Sequence, residues 1–390
     1  MAQLTFQAHK SHIYELLFFP KGSSFITTSD CGLKMWDTLY WGDACSEYFP
    51  DNSKRCFLGR YAAISSDGKW LVTTISDDSP IVIFEITISD EFSSLSLFRC
   101  LDKMCSWTNS LTFSPNGKYL AVDQGNRSIS IWNAETWKHL TTLKRKANFS
   151  SQQDVTFSPC GNWLLVTSTN QFTFFETQTW KTFQVIEEKN NYCLSPTWSR
   201  DGKWLVSGSY CGKIYILDMS LIEQFEKQTK ESQDEESQDE EKIQSSLILE
   251  KYTILRSISP PEMDHWVTAF LFLPDTHWMF SGADDCQLRL WDTETWTCVE
   301  AIDVKYKISR IALSPDGQWI IATGSTNPGM VFNVKIRDQF SILKLDEILA
   351  VGLACSCGEW SSFLQKGLYD PRLFLLIRSF LFSFFAEKEK

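Results

Sequence analysis

Five histidines are the first residues to test for chemistry, because imidazole is the common metal ligand and general base near neutral pH. His9 and His12 are three apart and His265 and His277 are twelve apart, and neither spacing suits a metal site. The 12 cysteines are scattered, and Cys355 and Cys357 have no mirroring pair. No zinc site is expected, and reduced, mostly buried thiols in a cytoplasmic or nuclear protein are the reading. Asp201 and Asp316 could act as acids, but each lies in a tight turn that recurs along the chain, which makes them turn formers. The glycine-bearing turns join strand to strand rather than strand to helix, so they are not phosphate loops. No catalytic residue, no metal and no cofactor is expected.

The elements around these residues point to sheets. The 390 residues include 28 Phe, 16 Trp and 11 Tyr, a composition that suits strands. The net charge is −11, and Ile222 to Glu250 alone holds ten acidic residues against three lysines. The rest is only mildly acidic and has no basic stripe, so no direct nucleic acid contact is expected. Met1 to Lys10 lacks a basic start followed by an apolar run, so no signal peptide is expected.

One unit repeats: an alternating strand, a tight turn, an apolar strand, a small polar turn, and a strand ending in an aromatic or apolar residue plus Asp, Asn or Glu. The turns are Phe19-Pro20-Lys21-Gly22, Ser65-Ser66-Asp67-Gly68, Ser114-Pro115-Asn116-Gly117, Ser158-Pro159-Cys160-Gly161, Ser199-Arg200-Asp201-Gly202, Leu273-Pro274-Asp275-Thr276 and Ser314-Pro315-Asp316-Gly317. Their second residues are spaced 46, 49, 44, 41, 74 and 41 apart. Proline pre-sets the first central angle and glycine takes a positive φ without strain. The third strands end at Trp36, Phe84, Trp132, Phe175, Leu217, Trp291 and Phe332. A fourth strand follows several of them, introduced by Glu135-Thr136-Trp137, Gln178-Thr179-Trp180 and Glu294-Thr295-Trp296. A four-stranded sheet this small cannot bury both faces alone, whereas radial stacking into a closed ring can.

This pattern resembles the WD-repeat family over roughly residues 1–345. The resemblance implies an all-β, seven-bladed β-propeller of four-stranded antiparallel blades. Residues 346–390 would form a C-terminal extension, helical from about 371. It also implies a buried hydrogen-bonded set in each unit. The sixth unit matches it throughout with His265, Ser281, Asp285 and Trp291; the first matches in part with His12, Thr27 or Thr28, Asp30 and Trp36. The fifth carries Cys211 and Leu217 at two of these places, and the second and seventh lack the His and the Trp. Loss of the His265 imidazole is then expected to destabilise its blade. Two segments compete to complete the last blade: Leu4 to Gln7, which is favoured, and Phe340 to Leu345.

The function implied is a non-catalytic interaction scaffold, a subunit or adaptor of a multiprotein assembly whose partners are proteins or peptides. The alternatives are a reader of a short modified or acidic peptide at a propeller face, and a membrane-associated adaptor. Candidate contact residues on the face that collects the entry links are Asn126, Arg127, Lys144, Arg145, Lys146, Tyr210 and Tyr306. The acidic insertion at about 222–250 is too polar to fold alone. It reads as a solvated loop or as a docking segment with Ser232 and Ser237 open to an acid-directed kinase. Leu373, Leu376, Ile377, Phe380 and Leu381 fall at helical spacing and would pack on the propeller, dock a partner or insert shallowly in a membrane. The apolar stretch from Leu373 is 14 residues and contains Arg378, short of a span.

Overall fold

The computed structural model describes residues 4–6, 12–21, 24–29, 32–37, 60–74, 81–88, 93–101, 108–124, 128–144, 154–168, 171–187, 194–220, 256–258, 265–304, 306–317, 319–324 and 329–333. These residues form an all-β propeller of seven antiparallel sheets, six of four strands and one of three. The three-stranded sheet is the first (Ile13–Phe18, Ser24–Ser29, Gly32–Asp37). The inner strand of each sheet packs on the inner strand of the next, and the seventh (Ile308–Leu313) packs on the first, so the ring closes. The surplus of the 74-residue interval falls between the third strand of the fifth sheet (Ile214–Asp218) and its outer strand (Arg256–Ile258), so the acidic insertion comes before an outer edge. Neither the insertion nor the C-terminal segment lies within the described residues. Ser232, Ser237, Leu373, Leu376, Ile377, Phe380 and Leu381 are therefore outside them.

Closure at the last blade uses the N-terminus. Leu4–Phe6 pairs antiparallel with Gly329–Asn333, Leu4 opposite Val331 and Phe6 opposite Gly329. The favoured segment thus supplies the outer strand, and an edge that would otherwise stay open is covered.

Burial follows from the ring. Seven apolar clusters occur among the described residues, and each is drawn from two successive sheets. Phe19, Ile26, Leu71 and Phe84 fill the seam between the first and second sheets. Leu165, Phe174, Leu205 and Leu217 fill that between the fourth and fifth. Ile13, Phe25, Trp36 and Ile321 close the circle between first and seventh. The middle strands are apolar on both faces for this reason, as in Leu71, Val72, Leu164 and Leu165, all fully buried.

Two sequence phrases have clear mechanical roles. In the tight turns the serine hydroxyl accepts the backbone N–H five residues on, at 2.9 Å in Ser65 and Ser114 and 2.8 Å in Ser199, and also bonds the turn's Asp or Asn. The glycines take φ of 75°, 70°, 77°, 75° and 70° at Gly68, Gly117, Gly161, Gly202 and Gly317. Successive turns lie side by side on one rim: a Cβ at Gly68 would sit 3.5 Å from Pro20, and one at Gly117 3.5 Å from Ser66. Asp201 and Asp316 take their expected part as turn formers, each accepting the hydroxyl of Ser199 or Ser314.

In the second phrase the tryptophan itself is left-handed, with φ of 55° at Trp137 and 56° at both Trp180 and Trp296. That conformation is unfavourable for a bulky residue. It is held by a backbone bond across the turn and by edge-on contact with the aromatic opening the second strand of the preceding sheet. Trp137 meets Trp70 at 5.6 Å, Trp180 meets Tyr119 at 5.1 Å and Trp296 meets Trp204 at 5.2 Å.

Candidate functional site at the channel mouth

The inner strands all begin at the same end of the ring, opposite the rim of tight turns. Five of them carry a register shift at their first residues, falling at Tyr14, Asn109, Ser195–Pro196, Thr268 and Ser309. A bulge adds a residue to one strand and re-aims its side chain. Here it turns Tyr14, Asn109, Ser195, Thr268 and Ser309 into one cavity of about 270 Å³ at the axis. The second and fourth sheets contribute Tyr61 and Asp154, so every sheet reaches the same mouth.

The same positions join the sheets. Ser309 Oγ donates to Ile13 O at 3.3 Å, and Thr268 Oγ1 donates to Ile308 O. Thr28 Oγ1 donates to Arg60 O at 2.7 Å, Val155 N–H donates to Ser110 Oγ at 3.4 Å, and Ser195 N–H donates to Asp154 Oδ2 at 3.1 Å. Each of these bonds crosses between neighbouring sheets.

Charge is concentrated here. Arg310 Nε lies 3.3 Å from Glu15 Oε2 across the closing seam, and Lys307 Nζ lies 2.9 Å from Asp284 Oδ2. Burial pushes the Glu15 carboxyl above its ordinary range, with Arg310 opposing the shift and Asp154 adding to it. Burial, with the charges of Asp154 and Glu15, pushes the Tyr61 phenol up, so it stays protonated. Aromatic surface borders these charges. The Arg60 guanidinium sits 5.0 Å above the Tyr14 ring, and Trp266, 44% exposed, packs against Tyr210 with ring centroids 4.3 Å apart and planes tilted by 42°.

The expected buried set is only half formed. The indole of Trp291 donates to Ser281 Oγ at 2.8 Å, and that of Trp36 donates to Thr27 Oγ1 at 2.8 Å. His265 is exposed and takes no part, which corrects the expectation of a buried imidazole. Asp285 instead accepts from Arg289 Nη2 at 2.5 Å, four residues along the same segment, and both side chains are nearly buried. Removing the His265 imidazole is therefore expected to leave stability almost unchanged. His12 is half-buried with its ring edge-on to Tyr14 at 4.7 Å, and it lines the mouth. Asp30 lies outside the described residues. In the third sheet Val122 stands where Ser281 stands in the sixth, and the Trp132 indole N–H is buried without an acceptor among the described residues. Ser281→Ala should impose that condition on Trp291, costing about 1–3 kcal/mol in urea unfolding.

Of the candidate contact residues, Tyr210 backs the mouth through Trp266, and Tyr306 packs half-buried beside Lys307. Lys144 is exposed at the end of an outer strand, away from the axis. Asn126, Arg127, Arg145 and Lys146 lie outside the described residues. The mouth residues Tyr14, Tyr61, Asp154, Trp266 and Arg310 were missed. Their one sequence signal is position, at the start of each inner strand. Elsewhere the chemistry is subdued: desolvation and neighbouring carboxylates raise the Cys286 thiol, and desolvation raises Cys298, which leaves both poor nucleophiles. Among the described residues no three His, Cys, Asp or Glu converge as metal ligands, and no helix is long and apolar enough to cross a membrane.

Comparison with known proteins agrees with this geometry. The family described as WD domain, G-beta repeat matches residues 2–37, 99–133, 183–218 and 255–292. Protein HIR1 of Candida albicans is 24% identical over 43% of this chain and 20% of its own length. Small ribosomal subunit protein RACK1 of Schizosaccharomyces pombe is 28% identical over 26% of this chain and 34% of its own. Eukaryotic translation initiation factor 3 subunit I of Candida albicans is 32% identical over 17% of this chain and 19% of its own. The matched stretches thus span about a third or less of the length of these relatives. With four repeats matched and the strands closing into a ring of antiparallel sheets, the chain is a β-propeller that carries WD repeats.

Proposed function

We propose that the chain is a seven-bladed, non-catalytic interaction platform, a subunit or adaptor of a multiprotein assembly in the cytoplasm or nucleus, and that it engages its partner at the channel mouth. The observation that carries this reading is the convergence of side chains from all seven sheets on one polar and aromatic cavity, with Trp266 half-exposed beside it. Aromatic and arginine side chains dominate binding energy at interfaces. The rigid ring also positions them without an ordering cost on binding. Two relatives are named as a ribosomal subunit protein and as a subunit of an initiation factor, which supports the role of a part within a larger assembly.

The test is affinity purification with quantitative mass spectrometry, comparing the full chain with Trp266→Ala and Tyr210→Ala. The partner set should fall about tenfold in recovery, as for loss of a central aromatic anchor, while thermal unfolding is nearly unchanged. Variants lacking 226–242 or 368–390 should retain it. Unchanged recovery with both mouth variants, or loss only on deleting 368–390, would move the interface elsewhere.

A further inference from the structure

We propose that the outer edge of the second sheet, Ser93–Cys100, takes an added strand: an extended segment of a partner that carries successive apolar residues and a carboxylate. This edge lies on the circumference of the ring, away from the mouth, and gives the assembly a second point of contact.

Three observations lead there. The first is the backbone. Ser93–Cys100 pairs on one side with Ile81–Ile88, and its other side meets no strand among the described residues. At eight residues it is the longest of the outer strands described, whereas Leu4–Phe6 and Arg256–Ile258 have three each. An unpaired edge offers N–H and C=O groups that an arriving strand can bond, and sheets guard such edges by shortness or charge. Thr297–Asp303, the outer strand of the sixth sheet, is guarded by Glu300 and Asp303. Ser93–Cys100 carries a single charge, Arg99.

The second is apolar surface on both faces of the edge. Leu97 and Phe98 are 51% and 50% exposed, the one adjacent pair of exposed large apolar residues among those described. The register shifts between Ile83 and Phe84, which sets Leu97 opposite Phe84 and Arg99 opposite Ile83 and leaves Phe98 as the additional residue. Leu97 therefore lies on the side of the first sheet, where Phe84 packs, and Phe98 turns to the side of the third, where it meets Trp70 at 4.7 Å. The side chains of a strand alternate between its faces, so a guest covers both residues only with apolar groups at successive positions.

The third is charge. Lys69 is met by Glu85 at 3.8 Å, whereas Arg99 is exposed and makes no ion pair among the described residues. A carboxylate on the guest supplies its counter-charge. A second copy of this chain does not: residues 93–100 hold no acid, so edge against edge leaves both arginines unmatched, and two chains of net charge −11 repel.

The experiment selects binders to the full chain from a displayed library of random peptides of about ten residues, long enough to span the edge, and discards those that also bind Leu97→Lys. The retained peptides should combine successive apolar, β-branched residues with Asp or Glu. They should bind Phe98→Lys about tenfold more weakly, with the unfolding midpoint as a control for folding. N-methylation at alternate peptide residues keeps every side chain and removes the bonding N–H groups, and it should abolish binding. Arg99→Glu should switch the preference from acidic to basic peptides. No retained family, indifference to N-methylation, or a preference of the parent chain for basic peptides would overturn the proposal. A dimer in sedimentation velocity that Leu97→Lys abolishes would also overturn it, by making a second copy the occupant. If the edge peptides fail but Trp266→Ala still releases the cellular partner, docking at the mouth stands and the added strand alone is lost. If they behave as expected but Trp266→Ala and Tyr210→Ala release nothing, the edge site stands and docking at the mouth fails.

Discussion

Gly208→Ala should destabilise the ring by about 4 kcal/mol or more, the largest effect expected from adding one methyl group at a glycine among the described residues. A Cβ at Gly208 would lie 2.0 Å from the backbone carbonyl oxygen of Val267 and 2.9 Å from its carbonyl carbon. Neither atom can rotate away, because Val267 opens the inner strand of the sixth sheet and its N–H donates to Ser209 O at 3.1 Å. Relief requires the fifth and sixth sheets to part. That would break the bond to Ser209 and loosen the seam packed by Val206, Ile216, Val267 and Met279. Gly317→Ala separates steric crowding from backbone strain. Gly317 has φ of 70° but nothing within 4 Å of its Cβ position, so it should cost only about 1–2 kcal/mol. Urea unfolding of the two variants should differ by at least about 2 kcal/mol. A Gly208→Ala protein within 1 kcal/mol of the parent would mean that the two strands do not approach this closely.

How far such features could be read from sequence depends on whether local residue type or long-range register sets them. The tight turns were legible because proline and glycine fix their angles locally, and Ser65, Ser114 and Ser199 differ little in role. The pairing of Trp291 with Ser281 was legible through the family resemblance, and that of Trp36 was narrowed to Thr27 or Thr28, of which the structure selects Thr27. His265 misled because it lies before its strand, where exposure is decided by the path of the preceding link. Arg289, two residues before Trp291 and on the same strand face, was the overlooked partner of Asp285. The mouth was hidden for a different reason. Tyr14, Asn109, Ser195, Thr268 and Ser309 share no residue type, and what they share is a bulge set by pairing with the second strand. Only a reading that fixed both strands in register would have gathered them.

The closing seam yields the second large effect: Arg310→Met should cost about 3 kcal/mol at pH 7, and the cost should shrink in acid. Apart from the N-terminal strand Leu4–Phe6, which lies in the seventh sheet and leads into the first, the strands at this seam come from opposite ends of the chain, so the ring shuts largely through non-covalent contacts. It relies on the apolar cluster of Ile13, Leu16, Phe25, Trp36 and Ile321, on Ser309 bonding Ile13 O, and on Arg310 facing Glu15. Their side chains retain 30% and 20% of full exposure, which places the cost at the lower end of that for a broken buried pair. The pH dependence has a definite sign. Burial raises the Glu15 carboxyl above its ordinary 4.5 in the folded state even with Arg310 present, so its ionisation opposes folding. That part of the stability is fully present below 4.5 and is lost as pH rises through the folded value. Removing Arg310 raises the folded value further, so parent and variant should converge near pH 4 and diverge towards pH 7. Glu15→Gln should flatten the dependence. The double variant should be more stable at pH 7 than Arg310→Met alone, because Glu15 is then not left as a buried charge facing no guanidinium. Denaturant unfolding of the four proteins at pH 4.5 and 7 decides it. A cost for Arg310→Met that is the same at both pH values, or a double variant less stable than the single one, would leave closure to the apolar cluster and the N-terminal strand alone.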